Sequence, residues 1–125
     1  MTSGTPEMVV RPPLEPIALA DVRAAATRIA GSVMRTPLVR LDVDASVEIH
    51  LKLETLQPIG SFKLRGALNA MRELPAARLR DGVYTASAGN MAQGLAWAAR
   101  ELGVPCRIIA PDHAPQTKLD AIERL

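Results

Sequence analysis

One stretch concentrates the residues suited to chemistry: Gln57-Pro58-Ile59-Gly60-Ser61-Phe62-Lys63-Leu64-Arg65-Gly66-Ala67-Leu68-Asn69-Ala70. A turn at Pro58-Ile59-Gly60 leads into a helix whose first turn carries Lys63. Ser61 suits the N-cap, where its hydroxyl can accept from a free backbone N–H two or three residues on. Leu64, Ala67, Leu68 and Met71 recur at helical spacing and define a buried face. A helix start favours anions, so a protonated lysine there is mildly unfavourable. An amine that is neutral, or tied up as an imine, escapes that penalty, and a neutral amine is what Schiff-base chemistry requires. A solvated surface lysine is the competing reading, and this stretch alone does not choose between them.

A second stretch is Thr85-Ala86-Ser87-Ala88-Gly89-Asn90-Met91-Ala92-Gln93-Gly94. It joins a strand expected over 82–86 to a helix expected over 91–102. A small, glycine-containing loop at a helix start directs several unpaired N–H groups to one point, which makes an anion site. Ser87 and Asn90 add side-chain donors. Taken alone, the stretch also fits an ordinary strand-to-helix turn capped by Ser87 or Asn90.

In combination, 52–67 (Lys-Leu-Glu-Thr-Leu-Gln-Pro-Ile-Gly-Ser-Phe-Lys-Leu-Arg-Gly-Ala) and 87–94 (Ser-Ala-Gly-Asn-Met-Ala-Gln-Gly) resemble one known group. It is the threonine dehydratase and serine racemase branch of the fold-type-II pyridoxal-phosphate (PLP) enzymes. Two long motifs in the right order are far more specific than a lone glycine pattern, and the resemblance runs from about Leu19 to the last residue. It implies an α/β fold of the tryptophan-synthase-β type, with parallel sheets flanked by helices and a two-domain architecture present only in part. It implies that Lys63 forms the internal aldimine with pyridoxal 5'-phosphate, and that Phe62 and Asn90 join it in holding the cofactor. Ser87, Ala88, Gly89, Asn90 and Met91 are implied to receive the substrate, with the loop taking its carboxylate. The implied reaction is dehydration and deamination of a β-hydroxy amino acid such as threonine or serine to a 2-oxo acid and ammonia. The freed Lys63 amine would be the base for the α-proton.

Two departures bear on the substrate. The racemases have a serine where this chain has Ala88, and alanine transfers no proton, so dehydration is favoured over racemisation. Dehydratases commonly have histidine after the asparagine, and this chain has Met91, which exchanges polar contacts for a soft apolar surface. Either the substrate is bulkier or less polar than threonine, or Met91 simply packs its helix. Arg65 reads as a link between the two domains or as a solvent-facing arginine.

The elements expected to position these residues follow from pattern. Met1–Pro16 has four prolines and reads as a disordered leader. A first helix is expected over 19–33, with Val22, Ala25, Ala26, Ile29 and Val33 on one face. Residues 35–39 are extended around Pro37. Residues 47–54 alternate strictly and predict a half-buried strand, with His50 on its polar, solvated face. The lysine helix stops before Pro75, and 76–81 form a helical or irregular connection. After the helix ending near Leu102, Gly103 suits the C′ position. Residues 106–110 read as a buried strand, and 116–125 as an amphipathic helix on Leu119, Ile122 and Leu125. Strand, helix, strand, helix at this spacing is a parallel α/β unit. The expected division is a leader over 1–16, the start of the large PLP domain over 17–76, and an incomplete small domain over 77–125.

Composition narrows the field. The 125 residues have a net charge of +2 with acids and bases interleaved, and three aromatics, Phe62, Tyr84 and Trp97. That gives nucleic-acid binding little support. The single cysteine, Cys106, excludes an intrachain disulfide framework and fits a reducing compartment. No apolar run is long enough to span a bilayer, and no signal peptide is evident, so a cytoplasmic enzyme is expected. No metal site is expected, and the partners are an amino-acid substrate and, at full length, further copies of the chain. The glycine-rich loop for the cofactor phosphate is not in the sequence, so an N-terminal piece of a longer enzyme is expected. Three alternatives stand beside this reading. One is a PLP β-replacement synthase, although that group usually has Asp-Arg after the lysine where this chain has Leu64-Arg65. The others are a stand-alone α/β binding module and an inert remnant.

Overall fold

A computed structural model describes residues 15–125. Residues 1–14, most of the expected leader, lie outside the described residues. The order is α1 (Leu19–Ile29), β1 (Leu38–Arg40), β2 (His50–Lys52), a 3₁₀ turn (Glu54–Leu56), α2 (Lys63–Glu73), α3 (Ala76–Leu79), β3 (Val83–Ala86), α4 (Asn90–Leu102), β4 (Cys106–Ile109) and α5 (Gln116–Glu123).

Two small sheets form. β1 and β2 pair antiparallel, with Val39 opposite Leu51. β3 and β4 pair parallel, with Val83 opposite Cys106 and Ala86 opposite Ile109, as the strand–helix–strand pattern predicts. α4 crosses between them and lies at the centre of the molecule, against α2 on one side and β3 and β4 on the other. The core runs through that contact: Leu64, Ala67, Leu68 and Met71 of α2 meet Leu95, Trp97, Ala98 and Ala99 of α4, and Ile29 closes one end. The four α2 positions are those that helical spacing picks out. α4 ends at Gly103, whose φ of 63° is the left-handed conformation that glycine adopts without strain.

Several expectations are corrected. α1 stops at Ile29 rather than 33, because Ala30 is extended and Gly31 takes φ 79°. Of its expected apolar face only Ile29 is buried, while Val22 is exposed. The strand expected over 47–54 forms a ladder only over His50–Lys52, because its partner strand has three residues. The ladder is extended by the Leu41 N–H to the Ile49 carbonyl at 2.9 Å and the Leu53 N–H to the Pro37 carbonyl at 3.1 Å. Ile49 and Leu53 are half-buried as the alternation predicts, while Val47 and Leu51 are exposed. Glu54 leaves the strand for the 3₁₀ turn. β4 is inward-facing only at Cys106 and Ile108, since one face of the β3–β4 sheet meets α4 and the other shows Tyr84 and Ile109 to solvent. Cys106 is half-buried, and burial pushes its thiol pKa up.

Candidate functional site

Lys63 opens α2. Phe62, rather than Ser61, occupies the N-cap position, and no side chain caps the helix in the usual way. The Ser61 hydroxyl nevertheless accepts from the Lys63 N–H at 3.3 Å. Ser61 is buried, and Phe62 and Lys63 are exposed. The Lys63 Nζ stands 4.9 Å from the centroid of the Phe62 ring, a cation–π distance. The amine is therefore open to an incoming molecule, with an aromatic face beside it.

The loop 87–90 is placed by β3 and α4. The Ser87 N–H donates to the Ile109 carbonyl at 2.9 Å, extending the parallel ladder by one residue. The Ser87 hydroxyl accepts from the Gly89 N–H at 3.1 Å, so it shapes the loop from within. Gly89 takes the N-cap position of α4 with no side-chain cap. The Gln93 N–H reaches the Gly89 carbonyl at 3.3 Å, while the N–H groups of Asn90, Met91 and Ala92 have no partner among the described residues. These are the donors that a helix start leaves for an anion. Asn90 is exposed and Ala88 half-buried. Met91 lies beside Ala67, Ala70, Met71 and Tyr84 in an apolar groove between α2 and β3.

One residue that sequence reasoning left without a role joins the two stretches. Gly94 sits one turn into α4, directly against the lysine. A Cβ at Gly94 would lie 3.0 Å from the Lys63 carbonyl carbon and 3.1 Å from the Leu64 nitrogen. A side chain at Gly94 would press on these backbone atoms, so glycine permits the close approach of α4 to the first turn of α2. The start of α2, which carries Lys63, is thereby packed against α4 one turn beyond Asn90.

A second missed group surrounds the lysine turn. Glu54 accepts from Arg65 Nε at 2.9 Å and Arg65 Nη2 at 2.8 Å, a two-pronged ion pair, and from the Thr36 hydroxyl at 2.6 Å. Arg65 Nη2 and Gln57 Nε2 both donate to the Met34 carbonyl at 2.8 Å, and the Met34 N–H donates to Gln57 Oε1 at 3.2 Å. The hydrogen bonds from Arg65 hold the Glu54 pKa down from 4.5 to about 2, against the opposing effect of burial. The Arg65 pKa is raised by the same contact. Arg65 thus neither faces solvent nor reaches toward 77–125; it ties α2 back to the 3₁₀ turn and to Met34. An acid and an arginine eleven residues apart give no periodic signal, which is why sequence alone leaves them unpaired.

His50 is exposed on its strand, 3.6 Å from Glu48. Among the described residues no cluster of His, Cys, Asp and Glu is suited to a metal, and no helix is long and apolar enough to cross a membrane.

A family model described as pyridoxal-phosphate dependent enzyme matches residues 29–125. The chain belongs to that family, and its architecture is that of fold type II. Among relatives, it is 42% identical over 111 residues to the biosynthetic L-threonine dehydratase of Corynebacterium glutamicum, covering 86% of this chain and 26% of that one. It is 43% identical over 104 residues to an L-threo-3-hydroxyaspartate ammonia-lyase of a Pseudomonas species, covering 81% and 33%. The crystal structure of serine racemase from Dictyostelium discoideum superposes with a TM-score of 0.80 at 38% identity, covering 86% of this chain and 36% of that one. The chain thus spans about a quarter to a third of the length of these relatives. The family's cofactor is pyridoxal phosphate, and the residues present fit its reactive end: an exposed primary amine beside an aromatic ring, with unpartnered N–H donors on the adjoining helix start.

Proposed function

We propose that this chain carries the reactive lysine and the substrate-carboxylate loop of a PLP-dependent ammonia-lyase. Its substrate is a β-hydroxy amino acid such as threonine or serine, and its products are a 2-oxo acid and ammonia. The observation that carries this reading is the Gly94 contact, which seats α4 on the backbone of Lys63. When bound, pyridoxal phosphate supplies an electron sink for the charge left at the substrate Cα. Lys63 is the residue that attaches the cofactor, and Phe62 and Asn90 flank it. The Lys63 amine, when neutral, takes the proton from Cα. The unpartnered N–H groups at the start of α4, with Ser87, Ala88 and Gly89 shaping the loop, hold the substrate carboxylate and fix the direction of the Cα–H bond. Ala88 has no proton to give, so return of a proton to the opposite face of Cα has no donor at that position, which favours elimination over racemisation. Met91 gives the substrate side an apolar border, and the proposal extends to β-hydroxy amino acids less polar than threonine. The division near residue 76 into the start of a large domain and part of a small one belongs to the same proposal, as does assembly of the whole protein into a homo-oligomer.

The test uses the three lysines, Lys52, Lys63 and Lys118. The chain is incubated with pyridoxal phosphate, reduced with borohydride, and mapped by peptide mass spectrometry. Label concentrated on Lys63 is expected. Equal labelling of all three lysines overturns the assignment.

A further inference from the structure

We propose that the Glu54–Arg65 ion pair is a clamp that positions Lys63, which makes Glu54 and Arg65 positioning residues for the chemistry of that amine. The proposal rests on Lys63 being the reactive lysine. Residues 54–65 form a closed loop: it leaves the 3₁₀ turn at Glu54, turns at Gly60 where the N–H reaches the Gln57 carbonyl at 2.7 Å, and ends at Arg65 in α2. The two-pronged contact between Arg65 and Glu54 joins its ends. Lys63 lies two residues before the arginine. Two residues on an α-helix are separated by about 200° of rotation. Arg65 therefore anchors the first turn from the side away from the Lys63 side chain, and it fixes the lysine's backbone without touching its amine.

The rest of the network serves the same loop. The side-chain amide of Gln57 pairs with both the N–H and the carbonyl of Met34, as a neighbouring strand would. Arg65 shares that carbonyl, and Thr36 fixes one oxygen of Glu54. Thr36, Gln57 and Ser61 are the buried polar side chains among the described residues, at 3%, 3% and 6% exposure; Gln57 and Ser61 lie in this turn and Thr36 donates to Glu54 at its start. Buried polar groups are costly unless satisfied, so their concentration around an exposed lysine marks a turn whose geometry is specified closely. No member of the network bonds to the Lys63 side chain. On its other side the Lys63 backbone is held by Gly94. The lysine is thus fixed from two directions, by an ion pair and by a helix contact, while its amine stays exposed.

The test measures the reactivity of the amine itself and needs no cofactor. The chain is treated with a trace of acetic anhydride, and acetylation of Lys63 is compared with that of the exposed Lys118 by mass spectrometry. Two variants probe the clamp: E54Q keeps the shape and removes the charge, and R65K keeps the charge and removes the fork. Each is measured at a temperature where its circular dichroism matches the wild type. In the wild type the Lys63 to Lys118 ratio is expected to differ from one by more than threefold. In E54Q it is expected to move at least threefold toward one, with R65K between the two and Lys118 unchanged. A variant that lowers the melting temperature yet keeps the wild-type ratio overturns the proposal, because the pair is then only a tether. A wild-type ratio already within threefold of one overturns it as well. If E54Q does not fold, R65K carries the same decision. Because acetylation proceeds without pyridoxal phosphate, failure of the clamp and failure of the cofactor assignment are separate results.

Discussion

Among the described residues, Glu54 is the carboxylate whose pKa folding lowers most clearly. Its side chain is 17% exposed and surrounded by donors, and folding lowers its pKa from 4.5 to about 2. The folded state therefore takes up this proton less readily than the unfolded state. The resulting stabilisation is complete above the unfolded pKa of 4.5 and is lost as pH falls through about 2. A shift of this size corresponds to about 3 kcal/mol. In thermal melts, the wild type is expected to lose stability between pH 5 and pH 2 more steeply than E54Q, whose glutamine does not titrate. Parallel curves for the two proteins would show that other carboxylates govern the acid transition.

The α2–α4 contact is the element on which both the core and the site depend. Its closeness comes from small residues: Ala92, Ala96, Ala98 and Ala99 are buried along α4, and Gly94 meets the Lys63 backbone. Gly94→Ala places a methyl group 3.0–3.1 Å from backbone atoms that have no rotamer to escape into. Overpacking of this kind typically costs about 1–3 kcal/mol. Denaturant unfolding followed by the fluorescence of Trp97, which is 3% exposed in the same helix, is expected to show that loss. The same substitution is expected to weaken selective pyridoxal phosphate labelling of Lys63, because α4 and the first turn of α2 no longer meet at the same separation. Labelling at the wild-type level would mean that the contact is structural only.

For the whole molecule the notable feature is the outer face of the β3–β4 sheet. Parallel sheets are ordinarily covered on both faces, yet here only the α4 side is covered, and Tyr84 and Ile109 are 76% and 59% exposed. Arg107, opposite Tyr84 in the ladder, shares this exposed face, and apolar side chains such as Tyr84 and Ile109 left in solvent favour association. Ile109→Lys is expected to reduce concentration-dependent self-association in sedimentation velocity while changing stability by about 0.5 kcal/mol or less, the usual range for exposed positions. A large fall in stability would show that Ile109 is covered in solution.

The amino-acid sequence by itself determined the features that depend on local chemistry and periodicity. Leu64, Ala67, Leu68 and Met71 named the buried face of α2, Gly103 named the end of α4, and the alternation of strand and helix after residue 82 named the parallel pairing. The two motifs named the family. The tertiary structure alone decided how far each strand pairs, because pairing depends on the length of the partner: three residues of β1, with one flanking hydrogen bond on each side, leave both ends of 47–54 unpaired. It alone decided that the apolar positions of α1 stay largely exposed, since burial requires a neighbour that periodicity does not supply. It also decided the role of Arg65, because an ion pair with Glu54 across a folded loop leaves no spacing to read. Gly94 belongs to the same class: its purpose is visible only once α4 lies against Lys63, where the contact requires the absence of a side chain.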